Sequence, residues 1–281
     1  MNSPLVTTQW LAENLGRADL ILLDASMAKV IGREPIEYDQ PVFIPSAMPF
    51  DLEQDFCDLS SPLPHAFPCA EQFTSAARKL GIEADSLVVI YDNQGIYSAP
   101  RAWWMLKSMG LERAFVLDGG LPKWLEEGRE TASSLAQATA EEGSICGEFA
   151  ADTVCDSRHV LASLESDLIT LVDARSAERF YGRAAEPRAG VRSGHIPGSQ
   201  NLPFAQVLDD PVFKSKEELK AIFADLVPPG RKQILFSCGS GVTACILLMA
   251  AVIAGYSDTV LYDGSWADWG SQPSLPVATS E

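Results

Sequence analysis

The stretch 234-ILFSCGSGVTACILLMAAV-252 runs a short apolar segment into a cysteine, then two glycines, then a long helix-forming run. Residues 234–236 are apolar without alternation, the pattern of a strand covered on both faces in a parallel sheet. The residues after Thr243 suit a buried helix, so Cys238 stands at the joint between strand and helix. In open parallel sheets ligands gather at such joints, where helix N-termini present unpaired N–H groups.

The same design occurs earlier in 88-VVIYDNQGIYSAPRAWWML-106, with Asp92 in the place of Cys238. Three further pairs keep the same order: 21-ILLDAS-26 with 170-TLVDAR-175, 43-FIPSAMPF-50 with 195-HIPGSQNLPF-204, and 114-AFVLDGGLPKW-124 with 259-TVLYDGSWADW-269. Their separations are all about 145 to 152 residues, which identifies an internal duplication. Helical stretches at 69–81 and 216–227 alternate with the strands, so each copy is an α/β domain, a parallel sheet flanked by helices on both faces. The polar, small-residue-rich stretch 129-RETASSLAQATAEEGSICGEFAADTV-154 has linker composition. The expected division is therefore a catalytically inactive domain at 1–130, a linker at 131–150 and a domain carrying the cysteine at 151–281.

Composition limits what such a chain does. Its 281 residues, 47% apolar and 21% charged, are those of a folded two-domain protein. The net charge of −17 argues against nucleic acid and anionic membrane as partners, although local arginines still suffice for a small anion. The opening MNSPLVTTQWLAENL has neither a basic n-region nor a long apolar core, so a cytoplasmic protein is the expectation. Six cysteines without a C-x-x-C pair, and only three histidines, point to free thiols and to no metal site. No cofactor is expected, and a monomer is the default state of assembly.

Cysteine chemistry depends on the thiolate, which unpaired N–H groups and the dipole at a helix N-terminus favour. Gly239 and Gly241 allow a tight turn whose N–H groups converge as an anion nest. The ordinary fate of a single cysteine is inert burial. Against that stands the duplicate, which kept the turn and replaced the thiol by Asp92: one half is built for chemistry and the other is not.

The doubled D-A-[RS], [HF]-I-P and [LY]-D-G elements, with one Cys-Gly-Ser-Gly-Val-Thr loop in the second half, resemble the two-domain rhodaneses over nearly the whole chain. The loop itself is similar to that of the 3-mercaptopyruvate sulfurtransferases. The resemblance implies two rhodanese folds and a cysteine that cycles through a persulfide. It also implies a donor, 3-mercaptopyruvate, and an acceptor, either a thiol such as thioredoxin or cyanide. Gly239, Ser240, Gly241, Val242 and Thr243 would surround the sulfur. Relatives that use thiosulfate carry basic residues inside this loop. Here Gly239 and Ser240 stand instead, which suits a monoanionic 2-oxo acid whose carboxylate is held elsewhere.

That holder would be arginine, whose planar fork matches a carboxylate. Of the arginines in 173-DARSAERFYGRAAEPRAGVRSGHIPG-198, Arg179 and Arg188 match the family's substrate-binding pair. Arg175 is expected to pair with a carboxylate beneath the loop, and Arg183 and Arg192 to lie at the surface or in salt bridges. The resemblance further implies a relay of Asp51, His65 and Ser240, in which the Ser240 hydroxyl polarises the substrate carbonyl or passes a proton. Glu53 is an alternative to Asp51, since this segment is one residue longer than in some relatives. His195 in 194-GHIPG-198, Cys245 and the aromatic run 101-RAWWML-106 read as structural.

Three rival functions share these residues. Thiosulfate sulfurtransferase differs only in donor. A cysteine phosphatase needs an arginine six positions after the cysteine, where this chain has Ala244. A non-catalytic sulfur carrier would form the persulfide without turnover.

Overall fold

The computed structural model describes residues 3–138 and 142–279, so residues 139–141 of the expected linker lie outside the described residues. The chain forms two compact units. The first comprises Met1–Asp58, Phe67–Ala150 and Asp209–Phe213; the second comprises Leu59–Ala66, Ala151–Leu208 and Lys214–Glu281. Each unit thus takes in one short segment from the other half of the sequence, and the segment in the second unit carries His65.

In the first unit β1 (Leu5–Val6), α1 (Thr8–Asn14), β2 (Leu20–Asp24), β3 (Met48–Pro49) and α2 (Ala70–Lys79) precede β4 (Leu87–Tyr91), α3 (Ala99–Ser108), β5 (Ala114–Leu117) and α4 (Gly120–Glu126). The sheet order is β1-β5-β4-β2-β3, and every adjacent pair is parallel. Leu22, Val89, Tyr91, Phe115 and Leu117 form one apolar face and bury Leu11, Leu121 and Trp124. Composition reads 131–150 as linker, yet its described residues bond along this unit. Ala132 pairs with Phe43, Ala136 N–H donates to Ala47 O, and Ile145 N–H donates to Ile82 O.

The second unit repeats the scheme. β6 (Val154–Cys155), α5 (Ser157–Ser163), β7 (Ile169–Asp173), α6 (Ala177–Phe180) and β8 (Gln200–Asn201) come first. A short pair, β9 (Leu208–Asp209) and β10 (Val212–Phe213), of which residues 209–213 belong to the first unit, precedes α7 (Lys216–Leu226), β11 (Gln233–Ser237), α8 (Ala244–Ala254), β12 (Thr259–Tyr262) and α9 (Ser265–Trp269). Its sheet runs β6-β12-β11-β7-β8, again all parallel. The helix α8 is apolar nearly all round, ACILLMAAVIA, and is buried along most of its length, as that composition requires. It ends at Gly255, whose φ of 106° is the left-handed cap that glycine supplies without strain.

Strand order fixes where the chemistry lies. From β7 the chain moves outward to β8, then returns across the sheet to β11 and proceeds the other way to β12. Ligands bind outside the carboxyl ends at such a reversal. Ser237 is in register with Asp173 there, so Cys238 emerges beside Ala174 and Arg175, and Ala174 N–H donates to Ser237 O.

Candidate active site

Cys238 is almost fully buried, and α8 begins six residues later at Ala244. Gly241 has φ 77°, a left-handed conformation that favours glycine. The N–H groups of Cys238 and Gly241 both donate to Ser265 Oγ at 3.1 Å, and that hydroxyl donates to Tyr262 O at 2.9 Å. Two lone pairs and one proton are thereby used, while Cys238 Sγ lies 4.0 Å away. The expectation that the loop N–H groups converge on sulfur is therefore corrected for these two: they hold the loop's shape through Ser265.

Gly239 serves a different purpose from Gly241. A Cβ placed there would lie 3.2 Å from Arg179 Nη2 and 3.7 Å from Arg188 Nη1. Glycine at this position lets two guanidinium groups close over the residue next to the thiol. The two arginines singled out in the sequence are thus brought together at Cys238.

Behind them sits an ion-pair network. Arg175, nearly fully buried, meets Asp173 through Nε and Nη2, with Nη2–Oδ2 at 2.7 Å, and donates to Glu186 Oε1 at 2.8 Å and to Gly194 O at 2.9 Å. Its guanidinium also lies 4.4 Å from the centre of the Trp266 ring. Burial pulls the Arg175 pKa down, yet the Asp173 and then the Glu186 carboxylate outweigh it and hold the value above the ordinary one. Glu186 in turn accepts from Arg179 Nη2 at 2.5 Å and Nε at 3.3 Å. A buried charge of this kind persists only when it is paired on several sides.

His65 Nδ1 lies 2.9 Å from Ser240 Oγ, and both residues belong to the second unit. Asp51 belongs to the first unit, where its carboxylate accepts the N–H groups of Glu53 at 2.8 Å and Gln54 at 2.9 Å and closes its own turn. Val242 and Thr243 complete the loop, accepting the first N–H groups of α8 from Cys245 and Ile246.

The duplicate loop shows what this turn is shaped to hold. Asp92 is fully buried; its Oδ1 accepts Gln94 N–H at 2.9 Å, and its Oδ2 accepts the N–H groups of Tyr97, Ser98 and Ala99 at 2.8 to 2.9 Å. A carboxylate oxygen is three bonds from Cα, as is the outer sulfur of a cysteine persulfide. In the second copy the matching positions are Ser240, Thr243, Ala244 and Cys245, and of these the Cys245 N–H already donates to Val242 O at 3.1 Å.

Other residues fall into structural roles. His195 is buried, stacked at 3.9 Å on Phe180, with Nδ1 2.9 Å from Phe180 O. Cys245 Sγ lies 3.3 Å from Gly241 O in the core. Arg183 lies at the surface, as expected, 3.9 Å from Glu178. Arg192 departs from the surface or salt-bridge role expected from sequence: it donates to the carbonyls of Trp269, Gly270, Gln272 and Leu275 and ties down the C-terminal segment. Sequence reading passes over Ser265 and Glu186. The signal for Ser265 was the one difference within the D-G-[GS] repeat: Gly120 and Ser265 share φ 49°, so only the second copy accepts the strain of a side chain there. Among the described residues no group of three or more His, Cys, Asp or Glu side chains is placed to hold a metal ion.

The chain resembles known proteins along nearly its whole length. Residues 7–127 and 157–272 each match the Rhodanese-like domain. The chain is 38% identical to 3-mercaptopyruvate sulfurtransferase of Escherichia coli over 97% of its own length and 96% of the relative's. It is 39% identical over its whole length, and 79% of the relative's, to thiosulfate/3-mercaptopyruvate sulfurtransferase 1, mitochondrial, of Arabidopsis thaliana. The crystal structure of an Escherichia coli 3-mercaptopyruvate sulfurtransferase is similar at a TM-score of 0.82 and 35% identity, covering 94% of this chain and 99% of that one.

Proposed function

Because the chain belongs to the rhodanese family, with two rhodanese-like domains in tandem, we propose that it is a 3-mercaptopyruvate sulfurtransferase whose second domain does the chemistry. The observation that carries the reading is the approach of the Arg179 and Arg188 guanidinium groups to Gly239, next to Cys238, around a loop without charge of its own. Such a pair suits a carboxylate held beside the reacting sulfur.

In the first half-reaction the Cys238 thiolate attacks the donor's sulfur while Arg179 and Arg188 hold its carboxylate. The carbon–sulfur bond breaks, its electron pair passes to the pyruvate enolate, and a proton completes pyruvate. Ser240, positioned by His65, polarises the carbonyl or delivers that proton. Asp51 is the third member proposed for this relay. The persulfide's outer sulfur is stabilised by N–H groups of the loop, as the Asp92 carboxylate is in the duplicate. In the second half-reaction a thiolate, from thioredoxin or a similar dithiol, or cyanide takes the outer sulfur and the Cys238 thiolate leaves. The same proposal places the protein in the cytoplasm as a monomer, and no described helix is long and apolar enough to cross a membrane.

The second reading is thiosulfate sulfurtransferase, favoured by the positive charge of the same arginines and by the double name of the Arabidopsis relative. Comparing kcat/KM for the two donors decides between them: a preference for thiosulfate removes the mercaptopyruvate assignment. Mass spectrometry after exposure to mercaptopyruvate should find one added sulfur on Cys238, and Cys238→Ser should abolish both it and pyruvate release. A persulfide that no thiol or cyanide discharges would instead mark a carrier.

A further inference from the structure

We propose that Glu186 is a specificity-determining positioning residue, which sets the charge and orientation that Arg179 offers to the donor and so tilts the site toward a monoanion and away from a compact dianion. The inference rests on the reading of this site as one for a mercaptopyruvate-like donor.

The Glu186 side chain is 3% exposed and binds two guanidinium groups at once, Arg175 through Nη1 and Arg179 through Nε and Nη2. Two guanidinium groups within hydrogen-bond distance offset the cost of burying that carboxylate. Its contact with Arg179 has two consequences. The Nε–Nη2 side of the fork is taken, so the Nη1–Nη2 edge turns toward Gly239 and a donor beside Cys238. One positive charge at the loop is also matched by a negative one, whatever other groups surround Arg188. Arg175 does not restore the balance, since its opposite side is bound to Asp173.

The electrostatic consequence depends on the donor. Two charges a few ångströms apart interact more strongly in a buried site than in water, and a dianion feels each added charge twice as strongly as a monoanion. Glu186 therefore discourages a dianion such as thiosulfate more than it discourages a monoanionic carboxylate. For the monoanion the gain in orientation outweighs the cost in charge, because a bidentate contact demands that the fork be held in one plane.

The test compares wild type, Glu186→Gln and Glu186→Asp with mercaptopyruvate and thiosulfate as donors and cyanide as acceptor. Glu186→Gln keeps shape and removes the charge: KM for mercaptopyruvate should rise, KM for thiosulfate should fall, and the ratio of kcat/KM values should move toward thiosulfate by about tenfold or more. Glu186→Asp keeps the charge and should retain the wild-type ratio even if both KM values rise. Equal losses with both donors in Glu186→Gln, or a shift toward mercaptopyruvate, would overturn the proposal and leave Glu186 a structural residue. If Glu186→Gln turns over neither donor, titration calorimetry of pyruvate and thiosulfate into Glu186→Gln/Cys238→Ser and Cys238→Ser decides. A relative gain for thiosulfate supports the proposal; no relative gain, or no binding of either anion, overturns it. A wild-type enzyme that prefers thiosulfate would instead defeat the functional reading itself, an outcome read from wild type alone.

Discussion

Ser265 Oγ accepts the N–H of Cys238 at 3.1 Å, so one hydroxyl from the start of α9 holds the reactive residue at the end of β11. The same oxygen accepts Gly241 N–H, and Ser265 adopts φ 49° to reach both. Ser265→Ala removes the acceptor and keeps the strained backbone, leaving two buried donors unmet at a cost of about 1–3 kcal/mol each. Ser265→Gly loses the same bonds but relieves about 1 kcal/mol of left-handed strain. The alanine variant should therefore unfold at lower urea concentration than the glycine variant, and both should form the Cys238 persulfide more slowly than wild type in single-turnover measurements. An alanine variant as stable as wild type would show that the loop holds its shape without Ser265.

Arg179→Lys and Arg188→Lys replace a planar fork by a point charge. Each should raise KM for mercaptopyruvate by about tenfold or more with a smaller change in kcat, because a bidentate contact is lost while the charge stays. Steady-state kinetics checks this. Unchanged KM values would remove the arginines from donor binding.

His65 and Ser240 are joined at 2.9 Å, which makes a coupling test possible. Ser240→Ala and His65→Gln should each lower kcat by about a hundredfold if the pair moves a proton as one unit, and the double variant should be no worse than either single one. Additive losses would mean that the two residues act independently. Asp51→Asn enters the same cycle, and coupling to His65 would place it in the relay.

Asp92 gives a prediction for the first domain. Its two oxygens together accept four backbone N–H groups, whereas an asparagine presents an amide that must face at least one donor. Asp92→Asn should lower stability by about 1–3 kcal/mol, read from chemical unfolding. The yield of persulfide on Cys238 should stay at the wild-type level, and a loss of yield would give the first domain a part in the chemistry.

Much of the molecule was legible in the chain because duplication repeats its own evidence. The apolar runs at 87–92 and 114–120 announced strands, and the amphipathic runs at 69–81 and 216–227 announced helices that form at Ala70–Lys79 and Lys216–Leu226. The Asp92–Cys238 replacement set the two copies apart. The place of Arg192 is not legible in the chain, because an arginine in a loop carries no sign of which backbone carbonyls will surround it.

The sequence by itself determined the repeat, the parallel α/β class and the place of the cysteine, since each depends on local pattern that neighbours in the chain reveal; the arginine pair came from the resemblance to a family. Tertiary structure alone decided that segment 59–66 joins the second unit and brings His65 to Ser240 across 175 positions. It also decided that Gly239 is there for the arginines' approach, and that Ser265 and Glu186 hold the loop and Arg179. These depend on which residues meet at the carboxyl ends of β7, β11 and β12, and strand order, not chain order, sets those meetings.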